Sequence, residues 1–193
     1  MIEDAATEVF AERGYLGASI DEIARRSGVS APVVYDHFAS KQELHRALLE
    51  RHRDELVAVW REHLLTDEAP ETRLPRAVDA WARYVEAHPY AWKMLFRETT
   101  GEPEAAAIHR AVLDGSRAML APLVGMTPGG AALPDLEMAA ELIRSGLTGL
   151  ALWWQDHPEV TRAEIVATAM NVLWLGFERL GRGERWTGAP TDP

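Results

Sequence analysis

From residue 2 to the neighbourhood of residue 180, apolar side chains recur every three or four positions, and no stretch alternates apolar with polar over the length of a strand. This pattern predicts an all-α fold. The periodicity is interrupted at Gly14, Ser27-Gly28, Ala39-Ser40, residues 66–70, His88-Pro89, residues 99–103, residues 125–134 and His157-Pro158, which cuts the chain into about nine helices. The first three are short and fall within the first 38 residues, while the later ones are longer. The division this predicts is a small head, residues 1–46, followed by a larger helical body, residues 47–193. There is no internal repeat, and the Gly- and Pro-bearing last dozen residues read as a frayed end.

The head carries a dense series of local signals. Ser19 with Glu22 forms a capping box, so a helix begins there, and Ile20, Ile23 and Ala24 give it a narrow apolar face. Gly28 supplies the left-handed residue that ends it. Val29 is an apolar anchor, Ser30 is placed to cap a second short helix, and Val34 with Phe38, four apart, turns that helix's buried side back onto Ile20 and Ile23. Ser40 with Glu43 opens a third, long helix whose first residue is Lys41. A cation there opposes the helix dipole, and a phosphate at the same helix end would account for it. Two short helices joined by a glycine turn are the form of a helix-turn-helix, although an ordinary αα corner has the same outline.

The residue details favour the first reading. Ala5-Ala6, Val9-Phe10, Gly14-Tyr15, Ile23-Ala24, Gly28-Val29-Ser30, Tyr35-Asp36-His37-Phe38 and Ser40-Lys41-Gln42-Glu43-Leu44 together resemble the TetR (tetracycline-repressor-like) family of transcriptional regulators over about residues 2 to 50. The resemblance implies that Ser19, Ser30, Tyr35, His37 and Lys41 hold the DNA backbone and that Ala31, Pro32 and Val33 face base edges. Hydroxyls, an imidazole and an ammonium suit phosphate positioning. The three base-facing positions have no hydrogen-bonding side chains, so sequence reading would rest on thymine methyl contacts, water and DNA shape, with Arg26 or Arg25 at the end of the preceding helix. Ile2 matches a position already inside the family's first helix, so the opening of that helix and any basic arm are expected to be missing ahead of Met1.

Charge qualifies this picture. The chain has 20 basic and 30 acidic residues, a formal −10, where DNA binders usually carry a basic excess. Residues 24–46 nevertheless hold Arg25, Arg26, Lys41 and Arg46 against only Asp36 and Glu43, so a local positive edge survives, with few phosphate contacts and a shallow salt dependence expected. The absence of cysteine removes disulfides, thiol nucleophiles and cysteine-bound zinc. No apolar run is long enough to span a membrane and no leader is evident, so the expected location is the cytoplasm.

The body is marked by aromatics. Trp60, Trp81, Tyr84, Trp92 and Phe96 fall on four consecutive predicted helices, with Val112 and Met119 nearby. A stripe such as Leu74, Val78, Trp81 and Val85 is what a plain core would show. The family resemblance implies a small-molecule pocket between these helices, lined by the aromatics, with His109 and Ser116 as orienting groups. On the last two helices, Ile143, Gly146, Leu147, Leu150 and Trp154 share one face and Ala169, Leu173, Gly176, Phe177 and Leu180 another, each too broad for a single partner helix. Paired across a two-fold axis they predict a four-helix homodimer seam, which would set two recognition helices one DNA turn apart on a pseudo-palindrome.

The function expected is a ligand-responsive DNA-binding regulator, a repressor released from its operator by a small molecule. No cofactor, metal or membrane partner is expected. An enzyme finds little support, since H-E-x-x-H, G-x-S-x-G, G-x-G-x-x-G and the P-loop are all absent and the seven histidines are scattered, with His45 and His52 assigned to helix surface. A helical ligand-binding protein without operator binding is the alternative left open.

Overall fold

The computed structural model describes residues 1–96, 103–126 and 135–184. These residues form nine helices and no strand: α1 (Ile2–Gly17), α2 (Ile20–Ser27), α3 (Ala31–His37), α4 (Lys41–Leu64), α5 (Pro70–Ala87), α6 (Pro89–Phe96), α7 (Pro103–Gly125), α8 (Leu136–Gln155) and α9 (Arg162–Gly181). The all-α expectation holds. Ser19 Oγ accepts from the Glu22 N–H, Ser40 Oγ accepts from the Glu43 N–H, and Gly28 takes the left-handed conformation at φ 72°, while the return halves of the two capping boxes give way to Glu22 accepting from Arg26 and Glu43 from the Ala39 N–H. At Gly14 the backbone leaves helical geometry, with φ 68°, so the interruption read there is a kink that divides α1 into two helical pieces. Ser30 is the N-cap of α3 without a side-chain bond, so Pro32, pre-set to helical φ, is the stronger local signal there.

Two cores organise the chain. The head's core packs Val9 and Phe10 of α1, Ile23 of α2 and Val34 of α3 against Leu44, Leu48 and Leu49 of α4. Each of these leucines is essentially fully buried, worth roughly 2 kcal/mol of hydrophobic stabilisation apiece. The same cluster takes in Met94 and Leu95 from α6. The head is therefore closed by a helix of the body, and its core continues past residue 46, the boundary expected from sequence. The second core joins Trp60 and Leu56 of α4, Trp81 and Val85 of α5, Trp92 of α6, Leu147 and Trp154 of α8, and Ile165 and Ala169 of α9. Half-buried Phe96 packs against both.

Two histidines expected on the surface are buried. His45 is 1% exposed, with its ring centroid 4.8 Å from Phe10 and 4.9 Å from Tyr15, and His52 is 3% exposed. Both lie on the side of α4 that α1 covers, a burial that arises from residues far away in the chain. No helix among the described residues is long and apolar enough to cross a membrane.

Candidate functional site

Helix α3 buries Val34 completely and turns its other side outward. Ser30, Pro32, Tyr35 and His37 are exposed, Tyr35 by 53%, while Ala31 and Val33 are half-buried beside them. The hydroxyls of Ser30 and Tyr35 and the imidazole of His37 have no hydrogen-bond partner among the described residues, so they are available to an external acceptor or donor. Exposed Ser19 accepts its cap bond and keeps its own proton to give.

Two cations of the predicted contact set are spent elsewhere. Arg26 donates to Glu12 Oε2 at 2.6 Å and to Glu22 Oε1 at 2.9 Å, with Glu8 at 3.9 Å. These bonds raise the Arg26 pKa and hold the Glu12 carboxyl below its ordinary value. Arg26 is thus a strut between α1 and α2, and Arg25, exposed and without a carboxylate in salt-bridge range among the described residues, is the free cation beside α3. Lys41 Nζ donates to the Tyr15 carbonyl at 2.8 Å and to the Ala18 carbonyl at 3.1 Å, and lies 4.5 Å from the Tyr15 ring centroid. The carbonyl end of α1 explains this cation without a phosphate, and one ammonium proton remains.

Head and body also meet in a buried polar joint. Arg51 Nη2 donates to His52 Nε2 at 3.4 Å; because a guanidinium cannot accept, Nε2 is the acceptor and the ring proton sits on Nδ1. Nδ1–H then donates to Glu55 Oε2 at 3.2 Å, and the Thr7 hydroxyl of α1 lies 3.0 Å from Nε2. Glu55 Oε2 also accepts from the Tyr84 hydroxyl of α5 at 3.2 Å, and Arg51 is paired with Glu3 of α1. Burial, only partly offset by Glu55, pushes the His52 pKa down, and burial together with Glu55 pushes the Tyr84 pKa up. Tyr84, expected at the ligand, is a member of this joint and lines neither of the two cavities between α4 and α9.

Those two cavities are neighbours inside the body. The larger, about 70 Å³, is almost wholly apolar and is lined by Trp60 and Leu64 of α4, Leu74 and Val78 of α5, Leu120 and Val124 of α7, Ile143 and Leu147 of α8, and Met170, Leu173, Trp174 and Phe177 of α9. The smaller, about 30 Å³, is lined by Leu56, Val57 and Trp60 together with Trp81, Trp92, Phe96, Leu120, Arg144, Leu147 and Thr148. Trp60, Leu120 and Leu147 are common to both. Of the expected ligand residues, Trp60, Trp81, Trp92 and Phe96 come together here. The side chains of His109, Val112, Ser116 and Met119 lie outside the described residues. Leu120, Val124 and Trp174 were missed; Leu120 and Val124 continue the apolar face of α7, which was the available signal.

The faces assigned to a dimer seam turn largely inward. Leu147, Trp154 and Ala169 belong to the body core, Leu150 packs on it, and Ile143, Leu173 and Phe177 line the larger cavity. The exposed apolar residues are Leu142 (75%) and Trp153 on α8 and Val172 (70%) and Leu175 on α9, each one position from a seam residue, together with Met138 one turn before Leu142. One residue is about 100° around a helix. Gly146 and Gly176 lie on this outer side with open space where a Cβ would point, and Leu180 is half-buried. Among the described residues no three acidic or histidine side chains gather to hold a metal.

Comparisons with known proteins agree with this geometry. Residues 2–48 match the model of the family described as bacterial regulatory proteins, tetR family. Over 177 residues the chain is 32% identical to the transcriptional activator FasR of Mycolicibacterium smegmatis, covering 91% of this chain and 81% of that one. A transcriptional repressor of Mycobacterium tuberculosis is 40% identical over 82 residues, 42% of this chain and 41% of its own. The crystal structure of the regulator FadR from Bacillus subtilis in complex with stearoyl-CoA superposes with a TM-score of 0.72 at 18% identity, over 95% of this chain and 98% of that one, a likeness of fold. These relatives are regulators and not enzymes.

Proposed function

The chain belongs to the TetR family of bacterial regulatory proteins and is a DNA-binding transcriptional regulator, and we propose that it is a homodimeric repressor which leaves its operator when a small apolar molecule enters the body. The observation that carries the reading is the outward side of α3, where the polar groups of Ser30, Tyr35 and His37 have no partner among the described residues of their own chain. In this reading they, with Ser19 and the remaining proton of Lys41, hold phosphates. Ala31, Pro32 and Val33 meet base edges by shape and methyl contact, and Arg25 takes the place expected of Arg26. Head residues 1–46 act as the DNA-binding unit and residues 47–193 as the effector and dimer unit. A protein with chromosomal DNA as partner works in the bacterial cytoplasm.

The dimer forms through the outer side of α8 and α9, where Met138, Leu142, Trp153, Val172 and Leu175 would be covered by the same residues of a second copy. The effector site is the pair of cavities. Drug-sized ligands occupy roughly 300–1,000 Å³, well above the free space here, so a ligand enters only by parting the helices. That requirement gives it a higher affinity for an opened body than for the closed one, which is the condition for shifting the equilibrium. Helix α6 transmits the change, with Trp92 in the body core and Met94 and Leu95 in the head core.

The test is fluorescence anisotropy of duplexes from the gene's own upstream region, at two salt concentrations with scrambled DNA as competitor, followed by addition of stearoyl-CoA. Saturable binding to one duplex that is abolished by Arg25→Ala with Tyr35→Ala, and release on adding the acyl thioester, is the expected result. Leu142→Asp should give a folded monomer by light scattering and weaken operator binding by about 100-fold, the range set by loss of bivalency. Equal binding of upstream and scrambled DNA by the dimer would overturn the operator reading.

A further inference from the structure

Two indole groups at the centre of the body are buried with their polar atoms unused. Trp81 is 0% and Trp92 2% exposed, with ring centroids 6.0 Å apart at 73°. The Nε1–H of each is closed off from solvent and finds no acceptor among the described residues, whereas Trp154 Nε1, in the same core, donates to the Val160 carbonyl at 2.7 Å. A buried donor left alone forfeits its hydration without return, and native interiors seldom keep two such donors side by side. Both indoles line the smaller cavity, which among its described lining residues adds only two polar side chains, Arg144 and Thr148.

The charge at this cavity is already balanced. Arg144 donates through Nε to Glu141 Oε2 at 3.0 Å and through Nη2 to the other oxygen, and this pairing holds the Glu141 carboxyl down at about 2. A carboxylate placed among the indoles would be a buried ion without a counterion, and an ammonium would face a guanidinium. A neutral oxygen with lone pairs meets neither penalty. Trp60, Leu120 and Leu147 form the wall shared with the larger apolar cavity, so an alkyl chain attached to that oxygen reaches it once these side chains are displaced.

We propose that the body selects an amphiphile with a neutral carbonyl group, such as a ketone, ester, lactone or thioester, whose oxygen accepts hydrogen bonds from Trp81 and Trp92 while its aliphatic chain runs past Trp60 into the larger cavity. The inference rests on the two cavities being the effector site and adds the chemistry of the head group. It gives a use to two buried N–H donors that a purely apolar ring at either position would not carry.

The experiment compares three chain-matched probes, 2-undecanone, undecanoate and undecane, by displacement of anilinonaphthalene sulfonate from the full chain. The indole N–H signals of nitrogen-15-labelled protein are followed in parallel, with Trp81 and Trp92 assigned from the Trp81→Phe and Trp92→Phe variants. The ketone should bind at least fivefold more tightly than the other two and move both indole protons downfield. Each Phe variant should lose about fivefold of the ketone affinity, the worth of one neutral hydrogen bond, while its affinity for undecane stays unchanged. Equal affinities for all three probes with unmoved indole signals would overturn the head-group assignment and leave an apolar effector site standing. Indole signals already downfield in the free protein and unchanged by the ketone would show that water holds the donors, which also overturns it. Failure of every probe to bind would remove the effector site and the head-group assignment with it.

Discussion

The core of the head and the core of the body are made of different side chains. In the head the buried set is Ala, Val, Ile and Leu with a single phenylalanine and a single methionine, while around α5 and α8 four tryptophans are wedged between aliphatics. Small branched side chains interdigitate to high density, whereas large flat rings meet edge to face and leave gaps at their corners. The cavities of about 70 and 30 Å³ lie beside Trp60, Trp81 and Trp92. A head that must present α3 to DNA at one fixed angle is served by dense packing. A body that opens for a ligand, as proposed above, would be served by plates around a void, which can separate without tearing an interdigitated surface. Helix α6 belongs to both, so motion admitted on one side arrives at the other.

The strongest way to break this contrast is to make the same deletion in each core. Leu44→Ala removes a fully buried side chain from the head and should cost about 3 kcal/mol, within the usual range for cavity formation. Leu74→Ala trims a half-buried wall residue beside existing free space, and should cost less than about 1.5 kcal/mol because fewer contacts are lost. Urea unfolding of both variants decides it. Equal losses would mean that the body packs as tightly as the head and that its cavities are incidental.

A smaller effect separates the head's own cations. Arg25→Ala should weaken operator binding several-fold and lower the slope of log affinity against log salt by about one, as expected for one phosphate contact. Arg26→Ala should leave that slope unchanged and act instead through stability, because its guanidinium is held by Glu12 and Glu22. A loss of slope on removing Arg26 would show that its carboxylate partners give way to DNA.

Distance along the chain separates the features legible in the sequence from those that were not. The caps at Ser19 and Ser40 and the turn at Gly28 were legible because each is settled within four residues. The carbonyl partners of Lys41, Tyr15 and Ala18, were not legible because they lie 26 and 23 positions back. On α8 and α9 two apolar sides adjoin, one for the core and one left exposed, and periodicity cannot say which is which. The seam was accordingly drawn through Leu147 and Leu173 when Leu142 and Val172 are the exposed pair. Tyr84 was read as a pocket aromatic because its hydroxyl partner, Glu55 on α4, is 29 positions away.

The smallest expected effect concerns the joint between the two regions. His52 is neutral, with Nδ1–H on Glu55 and Nε2 accepting, and burial holds its pKa below the ordinary 6.5. The groups facing it are Thr7 and Asp4 from α1, Arg51 and Glu55 from its own helix, Tyr84 from α5 and His88 just beyond that helix. Because the folded pKa is depressed, the unfolded chain binds the proton more readily as pH falls through 6.5. Stability is therefore full above 6.5 and declines below it, down to the folded pKa. His52→Gln should remove this decline below pH 6.5 in thermal melts, since an amide can still give one hydrogen bond and accept another. An imidazolium at this position would lose Nε2 as an acceptor and repel Arg51, loosening the α1 to α4 contact that holds the head at its angle. If that contact sets the angle, operator affinity in the wild type should fall in step with stability over the same interval. A decline in stability with unchanged operator affinity would confine His52 to holding the fold.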